Sequence, residues 1–417
     1  MTLEQQVASL VTATTDLTTV VNTELNNVRQ ENTNFKNGIV DGQGQGVFNG
    51  IKIGKGSGNV LNNLAVGSNA LVSNGGTGEN TAIGFNALKS NVSGYKNTSI
   101  GSNSLGNNTS SIGIVAVGSN ALDSLISGNW NIGVGCGAGC VSGESNVAIG
   151  GFSLNKNSGH YNTSLGHNAL FSATNINSST ALGNNSQYQC TTGSQNTSLG
   201  MNTLTNNQTG ENNTAVGCSA LNASVNITNS TGVGWQAEVS GSNQVQLGNS
   251  STTTYVFGTV QNRSDIRDKT DVRNTILGLD FIKSLRPVDY RWDMREDYKP
   301  VAPQDPGIDA TDEQKARYQS DIKTWLENCK LKNIVHNGTK KRNRFHHGLI
   351  AQEVKAVLTQ KGIDFGGYQD HSISGGDDVL SLGYDQFIAP LIKAVQELSA
   401  QNEALIARIS ALESNLK

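Results

Sequence analysis

The chain has 417 residues, of which 35% are hydrophobic and 15% charged, with a formal net charge of -3. Ordinary globular proteins run at roughly 45–50% and 25%, so one conventional core filling the whole length is excluded. The near-zero charge likewise gives no electrostatic case for a nucleic-acid or membrane partner.

The deficit is local. Between residues 45 and 250 there is no Arg or Pro, the acids are Glu79, Asp123, Glu144, Glu211 and Glu238, and all five prolines lie beyond residue 286. At least two differently built regions therefore share the chain. The start, MTLEQQVASL, has no basic n-region or continuous apolar core, so no secretory signal is expected, and no membrane span is expected either. Folding in a cytoplasm follows as the expectation. Cys136, Cys140, Cys190, Cys218 and Cys329 are an odd set without paired spacing, which reads as buried free thiols rather than as disulfides or a zinc site. No cofactor and no metal are expected.

Residues 1–37 carry Leu3, Val7, Leu10, Thr14, Leu17, Val21, Val28 and Phe35 on alternating steps of four and three, with Glu24 and Glu31 at two seam positions. This heptad pattern predicts a parallel coiled-coil stalk of ~50 Å at 1.5 Å per residue, stopping at Gly38.

Residues 38–263 read as a shaft built from a repeat of the form N-T-A-I-G-x-N-A-L. Its central glycine falls at Gly67, Gly84, Gly101, Gly118, Gly135, Gly150, Gly166, Gly183, Gly200, Gly217, Gly234 and Gly248, 17 residues apart in eight of eleven intervals. The residue before that glycine is always Ile, Val or Leu, the one before that is usually small, and Leu recurs four residues after. So few apolar side chains cannot offset the ordering entropy of one unit, so the units must stack. The fold class expected is a mainly β fibrous shaft, a β-solenoid or β-roll of three interwoven or parallel chains. Short strands would carry the Ile/Val/Leu inward, with Asn, Ser and Thr in the turns. Twelve turns at ~4.8 Å would make a shaft roughly 60 Å long. The A-[IV]-G core is similar to the head repeats of trimeric adhesins of the YadA type, at a longer period. Exposed aromatics among them, such as Tyr95, Trp130, Tyr161, Tyr188 and Trp235, suit either glycan stacking or core packing.

From residue 264 the pattern turns α+β. Ile276, Leu277, Leu279, Phe281, Ile282 and Leu285 are helically spaced ahead of Pro287, and Val288, Tyr290 and Trp292 alternate as a strand. Residues 296–345 form a polar stretch in which Lys340, Lys341, Arg342 and Arg344 read as a solvated loop. A strand ending near Ile350 and a helix from Ala351 follow. Within 384–417, Leu391, Val395, Leu398, Asn402, Leu405, Ile409, Leu412 and Leu416 keep strict four-three order, a second coiled coil with Asn402 fixing register.

The stretches RSDIRDKTDVRNTILGLDFIKSLRPVDYRW, HHGLIAQEV and LSLGYDQFIAPLIKAVQEL together resemble the self-cleaving intramolecular chaperone domain. That domain ends bacteriophage tail fibres, tailspikes and endosialidases, and occurs in the myelin regulatory factor; residues 296–345 look like an insertion relative to it. The resemblance implies that residues 264–417 act as an auto-processing chaperone, a serine endopeptidase cutting its own chain once. It implies a cut between Arg263 and Ser264, with Ser264 as nucleophile and Lys269 as general base, and supporting roles for Asp265, His346, His347, Gln352 and Glu353. Five residues is off-face for a continuous helix, so Ser264 and Lys269 can meet only across a turn, for which Ser264 or Asp265 as a helix cap would serve. The function implied is a virion tail fibre, assembled in the host cytoplasm as a homotrimer and joined to tail or neck proteins through its N-terminus. Its partner would be a host-surface glycan or protein receptor. The alternatives are a structural neck or collar fibre that keeps its chaperone uncut, or a polysaccharide-depolymerising tailspike, which the scattered acids of the shaft disfavour.

Overall fold

The computed structural model describes residues 1–37, 46–48, 50–58, 60–257, 260–304, 306–307, 310–374 and 378–415, so Gly38, Leu416 and the side chain of Phe35 lie outside the described residues. The chain divides into two compact units, Met1–Ser219 and Ala220–Lys417. It forms the mainly β solenoid with helical ends that the repeat predicts.

In the first unit, α1 (Leu3–Asn37) is one uninterrupted helix whose seam residues Leu3, Leu10, Leu17 and Val28 are all more than half exposed. Strands β1 (Gly46–Phe48) and β2 (Ile51–Gly54) pair antiparallel, and β2 pairs antiparallel with β3 (Leu64–Val66). From β3 the chain coils. The strands β4 (Thr81–Ile83), β5 (Thr98–Ile100), β6 (Val115–Val117), β7 (Ile132–Val134), β8 (Val147–Ile149), β9 (Thr163–Leu165), β10 (Thr180–Leu182), β11 (Thr197–Leu199) and β12 (Thr214–Val216) follow, one per turn. Each pairs parallel and in register with the next, so Ala65, Ala82, Ser99 and Ala116 stack in one column.

The strands face the opposite way from the sequence expectation. The middle residue is buried (Ala82, Ala116 and Ala181 at 0% exposure), whereas the Ile, Val or Leu before the glycine points outward, Ile100 at 37% and Leu199 at 49%. Space is the reason. At most turns the bore is filled by a leucine four residues past the glycine (Leu71, Leu88, Leu105, Leu170), fully buried, and by the Ala or Ser beside it. At Gly133 an added Cβ would lie 2.7 Å from Leu122 Cγ, so a β-branched side chain has no room inward. An unbroken ladder of apolar residues thus runs along the outside of the sheet.

Asparagines assigned to turns also point inward. Asn80, Asn97, Asn131, Asn146, Asn162 and Asn196, four residues before the glycine, are all essentially inaccessible. The Oδ1 of Asn97 accepts from Ile114 N at 3.0 Å and its Nδ2 donates to Ser111 O at 2.8 Å, while Asn97 N donates to Asn80 Oδ1 at 3.1 Å. Each asparagine thereby satisfies buried main-chain groups of the following turn, which a tight coil with three-residue strands would otherwise leave orphaned. None of the five cysteines is in a disulfide among the described residues, but they are not uniformly buried: Cys140, Cys190 and Cys329 are buried, and Cys136, on the outside next to Gly135, is exposed. Burial pushes the Cys140 and Cys190 thiols up to about 12.

The second unit holds the parallel pair β13 (Thr231–Val233) and β14 (Val245–Leu247), then an α+β region. There α2 (Leu279–Ser284), β15 (Val288–Tyr290), α3 (Asp312–Asn328), β16 (His346–Gly348), α4 (Ala351–Lys361), β17 (Tyr368–Asp370), β18 (Leu380–Leu382) and α5 (Ile388–Asn415) succeed one another. β15 pairs antiparallel with β16, and β17 with β18. Phe281, Phe365 and Phe387 centre its core with Leu277, Val354 and Leu358, the Phe365 and Phe387 rings 4.9 Å apart at 71°. The polar stretch at 296–345 is not all loop. It contains the 17-residue helix α3, started by a capping box in which Thr311 Oγ1 accepts from Gln314 N and Gln314 Oε1 accepts from Thr311 N. Its basic cluster is only partly solvated, since Arg342 pairs with Asp297 at 3.2 Å. Among the described residues no helix is long and apolar enough to cross a membrane.

Candidate functional site

Residues 262–269 leave the shaft repeat as exposed chain and turn sharply. Asp265 caps a 3₁₀ turn over Ile266–Asp268, its Oδ1 accepting from Arg267 N at 2.9 Å, and Lys269 N closes the turn on Ile266 O at 3.1 Å. That single turn folds the five-residue spacing back on itself and brings Lys269 Nζ to 2.7 Å from Ser264 Oγ. The charges around the pair are compensated: Arg263 Nε lies 2.8 Å from Asp268 and Arg267 Nη2 lies 2.6 Å from Asp265. The Arg267 side chain, and after it the Arg267 main-chain N–H, hold the Asp265 carboxyl below its ordinary range. Asn262 Nδ2 donates to Asp385 Oδ2 at 2.9 Å, tying the chain just before the turn to the start of the last helical segment.

The pair is a hydroxyl with an amine in proton-transfer range, the arrangement a Ser-Lys nucleophile needs. Both side chains are exposed in the single chain. Such a nucleophile works only when the amine is neutral and can take the serine proton.

The other candidates have partners elsewhere. His346 sits in β16 opposite Tyr290, their rings stacked at 5.9 Å, and His347 Nδ1 is 2.6 Å from Asp289 Oδ1. Glu353 is engaged by Arg286, whose Nε donates to it at 3.0 Å and whose hydrogen bonds keep its carboxyl low. Gln352 is exposed on α4.

Residues 264–315 match the family described as the chaperone of endosialidase. The chain carries that intramolecular chaperone behind a β-solenoid shaft, a combination that fits a tail-fibre or tailspike protein. No curated protein and no solved structure matches it. The match begins at Ser264 and runs into the stretch expected as an insertion, while HHGLIAQEV and LSLGYDQFIAPLIKAVQEL lie beyond it.

Two contacts that sequence reasoning missed link the chaperone segment to those later stretches. The N-terminus of α2 lacks a side-chain cap of its own, and Leu279 N donates instead to Glu397 Oε2 of α5 at 2.7 Å. Gly278 makes room, since a Cβ there would sit 2.5 Å or less from both oxygens of that carboxylate. Likewise Leu349 N donates to Tyr384 Oη at 2.9 Å, against Gly348, which has no room for a side chain. A glycine beside a lone acid or tyrosine was the available signal, but neither partner is near in sequence. Glu397→Ala is expected to destabilise the C-terminal region by about 1 kcal/mol, the usual worth of a helix cap, with Glu397→Gln recovering part; denaturant midpoints of the uncut chain measure it.

Proposed function

We propose that the chain is a homotrimeric virion tail fibre whose C-terminal region, residues 264–417, registers three chains and is then released by self-cleavage between Arg263 and Ser264. The observation that carries this is the hydrogen-bonded Ser264–Lys269 pair on the first turn of the chaperone match, directly after the shaft. Lys269 takes the proton of Ser264 Oγ as that oxygen attacks the Arg263 carbonyl. The peptide bond breaks, an ester links Arg263 to Ser264 Oγ, and the Ser264 α-amine leaves protonated; water then hydrolyses the ester to free the Arg263 carboxylate. Since the pair is exposed in one chain, burial by neighbouring protomers is what would make the amine neutral, so that cutting waits for assembly. Such a gate suits a shaft whose non-local strand pairing is slow to form. Intact mass of the purified protein tests the reading: chains corresponding to residues 1–263 and 264–417 support it, and one uncut chain in a stable trimer leaves a permanently attached cap instead.

Trimerisation is supported by the outward ladder Ile83, Ile100, Val117, Val134, Leu165 and Leu199 and by the exposed seams of α1 and α5, because contiguous apolar surface of this extent marks an interface. Lysines in place of Leu165 and Leu199, 48% and 49% exposed, are expected to leave the turns intact and abolish the trimer in light scattering. A trimer of unchanged mass would remove this face from the interface. The N-terminal helix would join the tail or neck of the particle, and the shaft would contact the host surface.

A further inference from the structure

Trp130 and Tyr161 occupy one column of the repeat, each directly before a buried ladder asparagine, Asn131 or Asn162. They are two turns apart, roughly 10 Å along the shaft at ~4.8 Å per turn. Elsewhere this column holds glycine or polar residues such as Ser178, Gln195 or Lys96. Both aromatics adopt the left-handed backbone, φ 60° and 61°, where bulky side chains are rare, and both are largely exposed, 60% and 65%. The Trp130 indole lies against the turn before it. A Cβ on Gly113 would come within 2.4 Å of two ring atoms, so glycine there is what seats the ring.

Polar groups lie alongside. Glu144, on the intervening turn, accepts from Asn129 Nδ2 at 3.4 Å through one carboxylate oxygen, Oε1. Its main-chain N–H donates to His160 Nδ1 at 3.1 Å, which makes Nδ1 an acceptor and puts the proton of the neutral imidazole on Nε2. The His160 and Tyr161 rings are 6.0 Å apart. One strip of surface thus presents an indole, a carboxylate acceptor, an imidazole donor and a phenol.

We infer that Trp130, Glu144, His160 and Tyr161 form a binding site for a neutral glycan, a disaccharide-length segment of a hexose or N-acetylhexosamine polymer lying along the shaft axis. The C–H faces of the sugar rings pack on the two aromatics, and hydroxyls donate to Glu144 and accept from His160 Nε2. The carboxylate, unmatched by any cation in this set, repels sialic and uronic acids and so selects neutral sugars. This site rests on the reading of the shaft as the host-contacting part of a fibre.

The test is retention of the purified protein on a printed array of neutral and acidic oligosaccharides. Wild type is expected on neutral structures, with Trp130→Ala and Tyr161→Ala at least tenfold weaker, Trp130→Phe partly restored, and Trp235→Ala, which removes another exposed ring, unchanged. Binding confined to acidic glycans, no binding to any neutral one, or equal binding by Trp130→Ala and Tyr161→Ala overturns the site. Adsorption of the same proteins to a panel of bacterial strains separates the two readings. Wild type and Trp130→Ala adsorbing alike sinks the site and leaves the adhesion role standing, whereas wild type adsorbing to none sinks the adhesion role.

Discussion

Ser264→Ala is expected to run as a single full-length chain under conditions in which the wild type separates into residues 1–263 and 264–417. The change removes the oxygen that lies 2.7 Å from Lys269 Nζ and, with it, the nucleophile; the Asp265 cap and the turn over Ile266–Asp268 do not involve that oxygen and should persist. Loss of cutting should therefore be complete while trimer and shaft still form, which separates a chemical role from a folding one. Lys269→Ala should also stop cleavage, and Lys269→Arg should fail to rescue it, because a guanidinium stays protonated and cannot act as base. Asp265→Ala, by contrast, loosens the turn through loss of one cap and should slow cutting rather than end it. Cleavage of Ser264→Ala at the same bond would show that the pair is structural.

Much of this was legible in the sequence, and the failures have a common cause. The 17-residue period, the stacked glycines and the helical ends could be read because each recurs or runs long. The facing of the strands could not be read from hydrophobicity, since T-A-I offers one small and one large apolar residue and the larger was expected inside. The usable signal was size: the position two before the glycine holds Ala, Ser or Gly at every turn but the last, where it is Gln246, as a narrow bore filled by Leu88 or Leu105 requires. The asparagine column was equally visible as Asn80, Asn97, Asn131 and Asn146, but a polar residue in a short unit reads as a turn until its ladder of bonds is seen. Helix α3 was missed because its face is mostly polar, although Thr311 and Gln314 stand at capping-box spacing in the sequence. At the junction, the serine and lysine could be chosen from the motif and the turn anticipated from Asp265. The partners of His347 and Glu353 could not, because Asp289 and Arg286 lie 58 and 67 residues away.

Gly101→Ala should be among the most damaging substitutions in the shaft. Gly101 has φ 137°, a backbone region that side-chain-bearing residues essentially avoid, and a Cβ there would lie 2.3 Å from Gly118 O and 2.6 Å from Gly118 C. The obstruction is main chain of the next turn, so no rotamer change relieves it. Either the turns separate, which breaks the 2.8 Å bond from Gly118 N to Ile100 O and exposes the Asn97 bonds beside it, or the strain is kept. Backbone strain of ~1–3 kcal/mol with one or more buried hydrogen bonds left unmade at ~1–3 kcal/mol each puts the cost at about 3 kcal/mol or more. Because each turn is braced mainly by its neighbours, the loss should propagate along the solenoid and not remain at one site. The neighbouring Ser102→Ala, at an exposed outward position, should fall within about 0.5 kcal/mol of wild type. Soluble yield and protease resistance of the uncut shaft compare the two directly, and equal resistance of Gly101→Ala and Ser102→Ala would mean that the stacked glycines are not what sets the spacing of the turns.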